Sequence, residues 1–135
     1  MDKKAPNWPT NYFPGSKEAS SSASAGKLLF LSGCDGTNPK TGKMETNVFE
    51  EQVARAFDKV KTALEQAGSS MDKIVKTFML LNNLDNYPRM RKAEVEYYEK
   101  HVPYLVENPP VSTFMTLNNL KHPEALFEVD VTAMM

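Results

Sequence analysis

The sequence predicts an α+β fold, a mixed β-sheet with two helices on one face, in the order β-β-α-β-α-β-β. Three stretches carry that prediction. In the first, Phe49, Val53, Ala56, Phe57, Val60, Leu64 and Ala67 recur at steps of three and four, with Glu51, Arg55, Asp58, Lys59, Lys61 and Glu65 mostly opposite; this is a one-faced helix. In the second, Lys73 to Leu81 is a β-branched, apolar run of strand length. In the third, residues 125–133 alternate, with Phe127, Val129 and Val131 against Glu128, Asp130 and Thr132. A long one-faced helix feeding an apolar strand is half of an α/β unit, so the rest of the chain must supply the sheet that it covers.

Taken in order, residues 1–16 are proline-rich and lack periodicity, which predicts an extended arm. Trp8, Tyr12 and Phe13 would pin this arm onto the body or stack on a ligand. Ala25-Gly26 reads as a tight turn between a small-residue strand, about 18–24, and a strand from Lys27 to Ser32. Gly33 to Gly36 and Asn38 to Gly42 read as loops. Asn47 with Glu50 resembles a capping box for the lead helix, and Gly68 supplies its left-handed stop.

A Ser-Ser-Met-Asp turn comes next, and after Asn82-Asn83 a second helix starts near Asp85-Asn86, with Pro88 in its first turn. Met90, Ala93, Glu94, Tyr97, Tyr98 and His101 trace its weaker stripe, and Val102-Pro103 ends it. Asn108-Pro109-Pro110 forces an extended entry into a strand at 111–117, and residues 121–124 form a turn. With both helices on one side, the other sheet face is left partly polar, presenting serines, threonines, Glu128 and Asp130. Such an uncovered face suggests oligomerisation through it.

The 135 residues make one ordinary domain, 1–135, large enough to bury a core without disulfides. Cys34 is the single cysteine and suits a reducing cytosol. No apolar run approaches the roughly 20 residues that span a bilayer, and Lys3-Lys4 precede no apolar segment, so the expectation is a cytoplasmic protein without membrane contact. Sixteen basic and 17 acidic side chains give a net charge of -1 with no basic stripe, which argues against a nucleic-acid partner. Two histidines, His101 and His122, in no ligand spacing argue against a metal site.

Taken together, LLFLSG, NPKTG, FEEQVARAFDKVKTALEQAG, MDKIVKTFMLLNN and FEVDVTAM, in that order and spacing, resemble the RidA (YjgF) family from about Lys27 to the C-terminus. The resemblance implies a chorismate-mutase-like fold, a homotrimer with helices outside, and small-molecule sites in three inter-subunit clefts. It further implies hydrolysis of reactive enamines or imines, such as 2-aminoacrylate, to ketoacids and ammonia, with no cofactor. Some relatives have been described as endoribonucleases.

Position by position, the family's Ser-Gly-Gln is here Ser32-Gly33-Cys34, and its water-positioning glutamate falls at Glu128, with Asp130 two residues on. The family's substrate-clamping arginine, in Pro-Ala-Arg-Ser, is replaced by Val111 in Pro109-Pro110-Val111-Ser112. Its second-helix asparagine falls at Arg91, and its N-terminal tyrosine motif is not recognisable in residues 14–22. An aliphatic side chain cannot replace a bidentate guanidinium.

Glu128 is accordingly the candidate catalytic residue, since a carboxylate in a partly dry cleft can orient or deprotonate water. Its bland alternative is a polar-face strand residue paired with a lysine. Ser32, Gly33, Cys34, Arg91, Val111, Ser112 and Phe114 are the candidate binding residues, with Val111 and Phe114 shaping a more apolar pocket and Arg91 a conceivable replacement cation. Cys34 reads as a passive lining thiol, because nothing places a base beside it. The expected function is hydrolytic deamination of a small imine or enamine unlike the substrates of arginine-containing members. A non-catalytic small-molecule binder or regulator is the alternative, and RNA cleavage is disfavoured.

Overall fold

In the computed structural model, which describes residues 3–4 and 22–135, the elements in chain order are β1 (Lys3–Lys4), β2 (Ser22–Ala25), β3 (Leu28–Leu31), β4 (Cys34–Asp35), α1 (Phe49–Gln66), β5 (Ile74–Leu81), α2 (Tyr87–His101), α3 (Tyr104–Glu107), β6 (Val111–Thr116) and β7 (Phe127–Met134). Single 3₁₀ turns at Met71–Lys73 and Leu84–Asn86 lead into β5 and α2. The sheet order is β1-β2-β3-β7-β5-β6, with β4 also pairing β7. Among the described residues only β5 and β6 run parallel; the other pairs are antiparallel, so the sheet is mixed as expected. The aromatic residues 8, 12 and 13 and the start of the strand expected at 18–24 lie outside the described residues.

α1 forms because its apolar stripe has somewhere to go. Phe49, Val53, Ala56, Phe57, Val60 and Leu64 are buried against the sheet and α2. Phe57 is the hub: its ring lies 5.4 Å from Tyr97 in a stacked pair, 5.6 Å from Tyr98 edge-on and 6.1 Å from Phe127. The helix stops as the sequence dictates. Gly68 takes φ +85°, its N–H donates to the Glu65 carbonyl at 3.1 Å, and the Ser69 N–H reaches back to the Leu64 carbonyl at 2.8 Å, a Schellman ending. Its start differs from expectation. The boundary residue is Val48, and no side chain caps it. The Thr46 hydroxyl, one residue before the expected Asn47, accepts from the Val48 N–H at 3.1 Å and also bonds the Glu51 carboxylate.

The sheet faces are unequal. Phe127, Val129, Val131 and Ala133 of β7 are buried under the helices, and Leu29, Leu31, Ile74, Thr77, Met79 and Leu81 share that side by register. Across the opposite, open face run three rows of cross-strand neighbours: Phe30–Thr132–Lys76–Val111, Asp130–Phe78–Thr113 and Glu128–Leu80–Met115. This face is more apolar than the sequence suggested. Leu28, Phe30, Val111, Met115 and Met134 are exposed on it, while Ser22 and Ser24 are buried instead. In a continuous apolar strand, periodicity cannot say which residues face out; only pairing decides.

Four further differences have local causes. Cys34–Asp35, expected as loop, is a two-residue strand because it pairs with Val129 and Glu128. His101 is exposed at the end of α2, its ring 4.2 Å from Tyr97. The proline stop after α2 is followed at once by the short α3. Residues 125–126 precede β7 and lie outside it.

Candidate functional site

Glu128 stands on the open face of β7, half-buried, with its carboxylate over the backbone of Gly33. A methyl group added at Gly33 would collide with that carboxylate, lying 3.0 Å from its Cδ, so the glycine is what lets the acid lie flat against the Ser32–Cys34 segment. Burial, seconded by the negative charge of Asp35, raises the Glu128 carboxyl above its ordinary range, against the pull of Lys121. Asp130, two residues on, is likewise raised by burial and lowered by Lys76. A carboxyl so placed takes up and releases a proton more readily near neutrality than an ordinary glutamate does.

Behind this wall, Asp35 of β4 accepts from the Thr37 N–H at 2.9 Å and the Thr37 hydroxyl at 2.5 Å, and lies 3.0 Å from Lys59 Nζ of α1. Burial pulls the Asp35 carboxyl up, but these bonds together hold it below its usual range. On the α1 side of the same wall lies a cavity of about 870 Å³ lined by Ser32, Gly33, Cys34, Thr37, Arg55 and Lys59 among others. Cys34 is packed against the core, and burial pushes its thiol up to about 11, so it stays protonated and is no nucleophile at neutral pH.

The remaining binding candidates separate. Val111 is 68% exposed on the open face. Ser112 and Phe114 point the other way: the Thr77 hydroxyl donates to Ser112 Oγ at 3.0 Å, and the Phe114 ring lies 4.3 Å from Tyr87 at the start of α2. Val111 and Phe114 therefore do not shape one pocket within a chain. Arg91 lies on α2, across the sheet from the open face, with Nη1 2.7 Å from the buried Glu94. Within a chain its guanidinium therefore pairs with Glu94 on the helix side of the sheet, away from Val111.

Even Val111 and Glu128 are distant within a chain. Two strand spacings and four residues of rise separate them, roughly 16 Å. No small ligand spans that gap, so a site using both needs a second chain. Sequence reasoning gave Asp35 and Thr37 no role in the site and placed Lys59 only on the polar side of α1. Among the described residues, no group of three or more His, Cys, Asp or Glu could hold a metal ion, and no helix is long and apolar enough to cross a membrane.

Known proteins share both the sequence pattern and the fold. A family model described as Endoribonuclease L-PSP matches residues 14–135. A RutC family protein of Saccharolobus solfataricus is 30% identical over 108 residues, 80% of this chain and 79% of that one. The 2-iminobutanoate/2-iminopropanoate deaminase of Escherichia coli is 29% identical over 76 residues, 56% of this chain and 59% of that protein. This chain spans less than two thirds of the length of several curated relatives that it matches. The crystal structure of a protein of unknown function from the Rid family of Yersinia pestis is 26% identical and superposes with a TM-score of 0.81, covering 99% of this chain and 100% of that one.

Proposed function

The chain belongs to the Endoribonuclease L-PSP family, which includes the YjgF and RidA proteins, and from that premise we propose that it is a cytoplasmic homotrimer hydrolysing a small imine or enamine, without a cofactor, in clefts between subunits. The observation that carries the reading is Glu128: a half-buried carboxyl with a raised pKa, laid over the Gly33 backbone on an uncovered sheet face. The exposed Leu28, Phe30, Val111, Met115 and Met134 on that face support subunit contact through it.

In this mechanism the substrate lies against the Ser32–Gly33 backbone and water adds across its C=N bond. Glu128 takes a proton from the attacking water and delivers one to nitrogen. The resulting carbinolamine then loses its C–N bond, releasing ammonia and leaving a carbonyl. Val111 offers no charge to a substrate carboxylate, so the reading favours substrates other than simple 2-imino acids.

The test is ammonia release across a panel of imines generated in solution, with and without a carboxylate, beside sedimentation of the purified protein. A trimer is expected that accelerates hydrolysis of at least one class, with Glu128→Ala slowing turnover on the order of 10²- to 10⁴-fold. A lone monomer, or a trimer silent on the whole panel, overturns the reading.

Val111 and the engaged Arg91 favour one rival, a trimer that binds such a ligand without turning it over. Glu128→Ala separates the two, because a binder keeps its affinity. RNA cleavage fits poorly with nearly balanced charge; steep salt dependence of RNA affinity would be its signature.

A further inference from the structure

Beside Glu128 stands a second carboxylate, Asp35, whose place in the fold is too closely fixed to be incidental; the role inferred for it rests on the reading of Glu128 as the acid–base group. β4 is only two residues long, and its two pairings are Cys34 with Val129 and Asp35 with Glu128. Asp35 and Glu128 are thus cross-strand neighbours with Cα atoms roughly 5 Å apart. Asp35 cannot swing away. Two hydrogen bonds from Thr37 and the ammonium of Lys59 converge on the same oxygen, Oδ1, and Lys59 Nζ also lies 3.0 Å from Thr37 Oγ1. The two charged side chains are only 13% and 21% exposed. An ion pair so far out of water contributes little to stability that an apolar pair would not. Tying β4 to α1 therefore does not require it.

We propose that Asp35, pinned by Thr37 and Lys59, is a positioning residue for Glu128: a fixed negative charge across the strand pair that keeps the glutamate able to carry a proton into the cleft.

The titratable and charged groups around Glu128 are Asp35 and, turned to the core side, the neutral thiol of Cys34 from β4, Asp130 on β7, Lys121 from the segment before β7, and Lys59 from α1. After burial, Asp35 is the strongest of them; it and Asp130 favour the protonated acid, whereas Lys121 and Lys59 oppose it. Lys59 acts on Glu128 by its own charge, drawing it down, while the two Thr37 bonds outrank Lys59 in holding Asp35 ionised.

The experiment is a ¹³C-carboxyl NMR titration of Glu128 in the full chain, for wild type, Asp35→Asn, Lys59→Met and Asp35→Glu. Asp35→Asn keeps the shape and the bond from the Thr37 amide, and should lower the Glu128 midpoint by about half to one pH unit. Lys59→Met should move it upwards, and Asp35→Glu should leave it near wild type. Opposite shifts from the two halves of one ion pair are what a charge mechanism requires. A merely structural role would loosen the wall in both variants and move the midpoint the same way, and that result, or no movement, overturns the proposal. The titration reads Glu128 whether or not the protein turns over an imine, so failure of the hydrolase reading and failure of this one are separable. Where turnover is present, the acid limb of its pH profile should track the NMR midpoint across the four proteins.

Discussion

Replacing Gln52 with Leu should destabilise the protein by about 3 kcal/mol, although the volume is kept and an apolar side chain enters an apolar core. Gln52 lies in the first turns of α1 and is wholly buried. Its Nε2 donates to the Thr46 carbonyl at 2.9 Å and the Glu124 carbonyl at 3.1 Å, and its Oε1 accepts from the Leu126 N–H at 2.8 Å. One side chain thus joins the helix start to the segment that delivers β7, two residues before Glu128. Leucine removes three hydrogen bonds at once and leaves two carbonyls and an amide short of partners, each loss worth about 1 kcal/mol. With a urea slope near 2 kcal/mol per molar, the unfolding midpoint should fall by about 1.5 M. The measurement is urea unfolding at one fixed protein concentration, since an oligomer's midpoint moves with concentration. Amide exchange at Leu126 should also quicken selectively. A midpoint within about 0.3 M of wild type, with Leu126 still protected, would show that these bonds do not hold the segment in place.

Burial sets two further outcomes. With its thiol pushed up to about 11 from an ordinary 9.0, Cys34 should react with iodoacetamide at pH 8 on the order of a hundredfold more slowly than a free thiol, and modification at the free rate would refute its packing. Glu94 is buried on α2, and desolvation outweighs Arg91 and the Tyr98 hydroxyl in raising its carboxyl. An acid whose folded pKa is raised contributes stability that is full below its unfolded value, near 4.3, and lost as pH rises through the folded value. Thermal melts should therefore show Glu94→Gln gaining on wild type as pH climbs from about 4 towards neutrality, and a difference that is flat with pH would refute the assignment.

What the sequence made legible is what local periodicity encodes. The α1 stripe, its stop at Gly68, and the alternation of β7 all appear in the structure, because each is a property of consecutive residues meeting one flat surface. β4 was not legible: flanked by Gly33 and Gly36, it carries turn chemistry, and it becomes a strand only because β7 lies beside it. Gly36 itself passes so close to α1 that an added Cβ would sit 2.8 Å from the Gln52 Cα, a constraint imposed by an element sixteen residues later. Asp35 went unremarked for the same reason. The misjudged pairing of Val111 with Phe114 is different, since positions three apart on a strand face opposite ways and the alternation of residues 111–116 already separated them.

The open face connects the fold to the proposed chemistry. All six residues of β6 are exposed, at the edge of the sheet and on both of its faces, which is costly for a strand containing Val111, Phe114 and Met115. Glu128, Phe78 and Leu80 are only half covered on the same surface. Were three copies to close over this face, one chain's β6 could approach the Gly33–Glu128 wall of the next, and the roughly 16 Å between Val111 and Glu128 within a chain would no longer matter. Assembly and chemistry then stand or fall together. A charge introduced at Leu28, exposed on this face but six residues of rise and one strand spacing from Glu128, should weaken both association and turnover, whereas with a purely intrachain site it would weaken association alone.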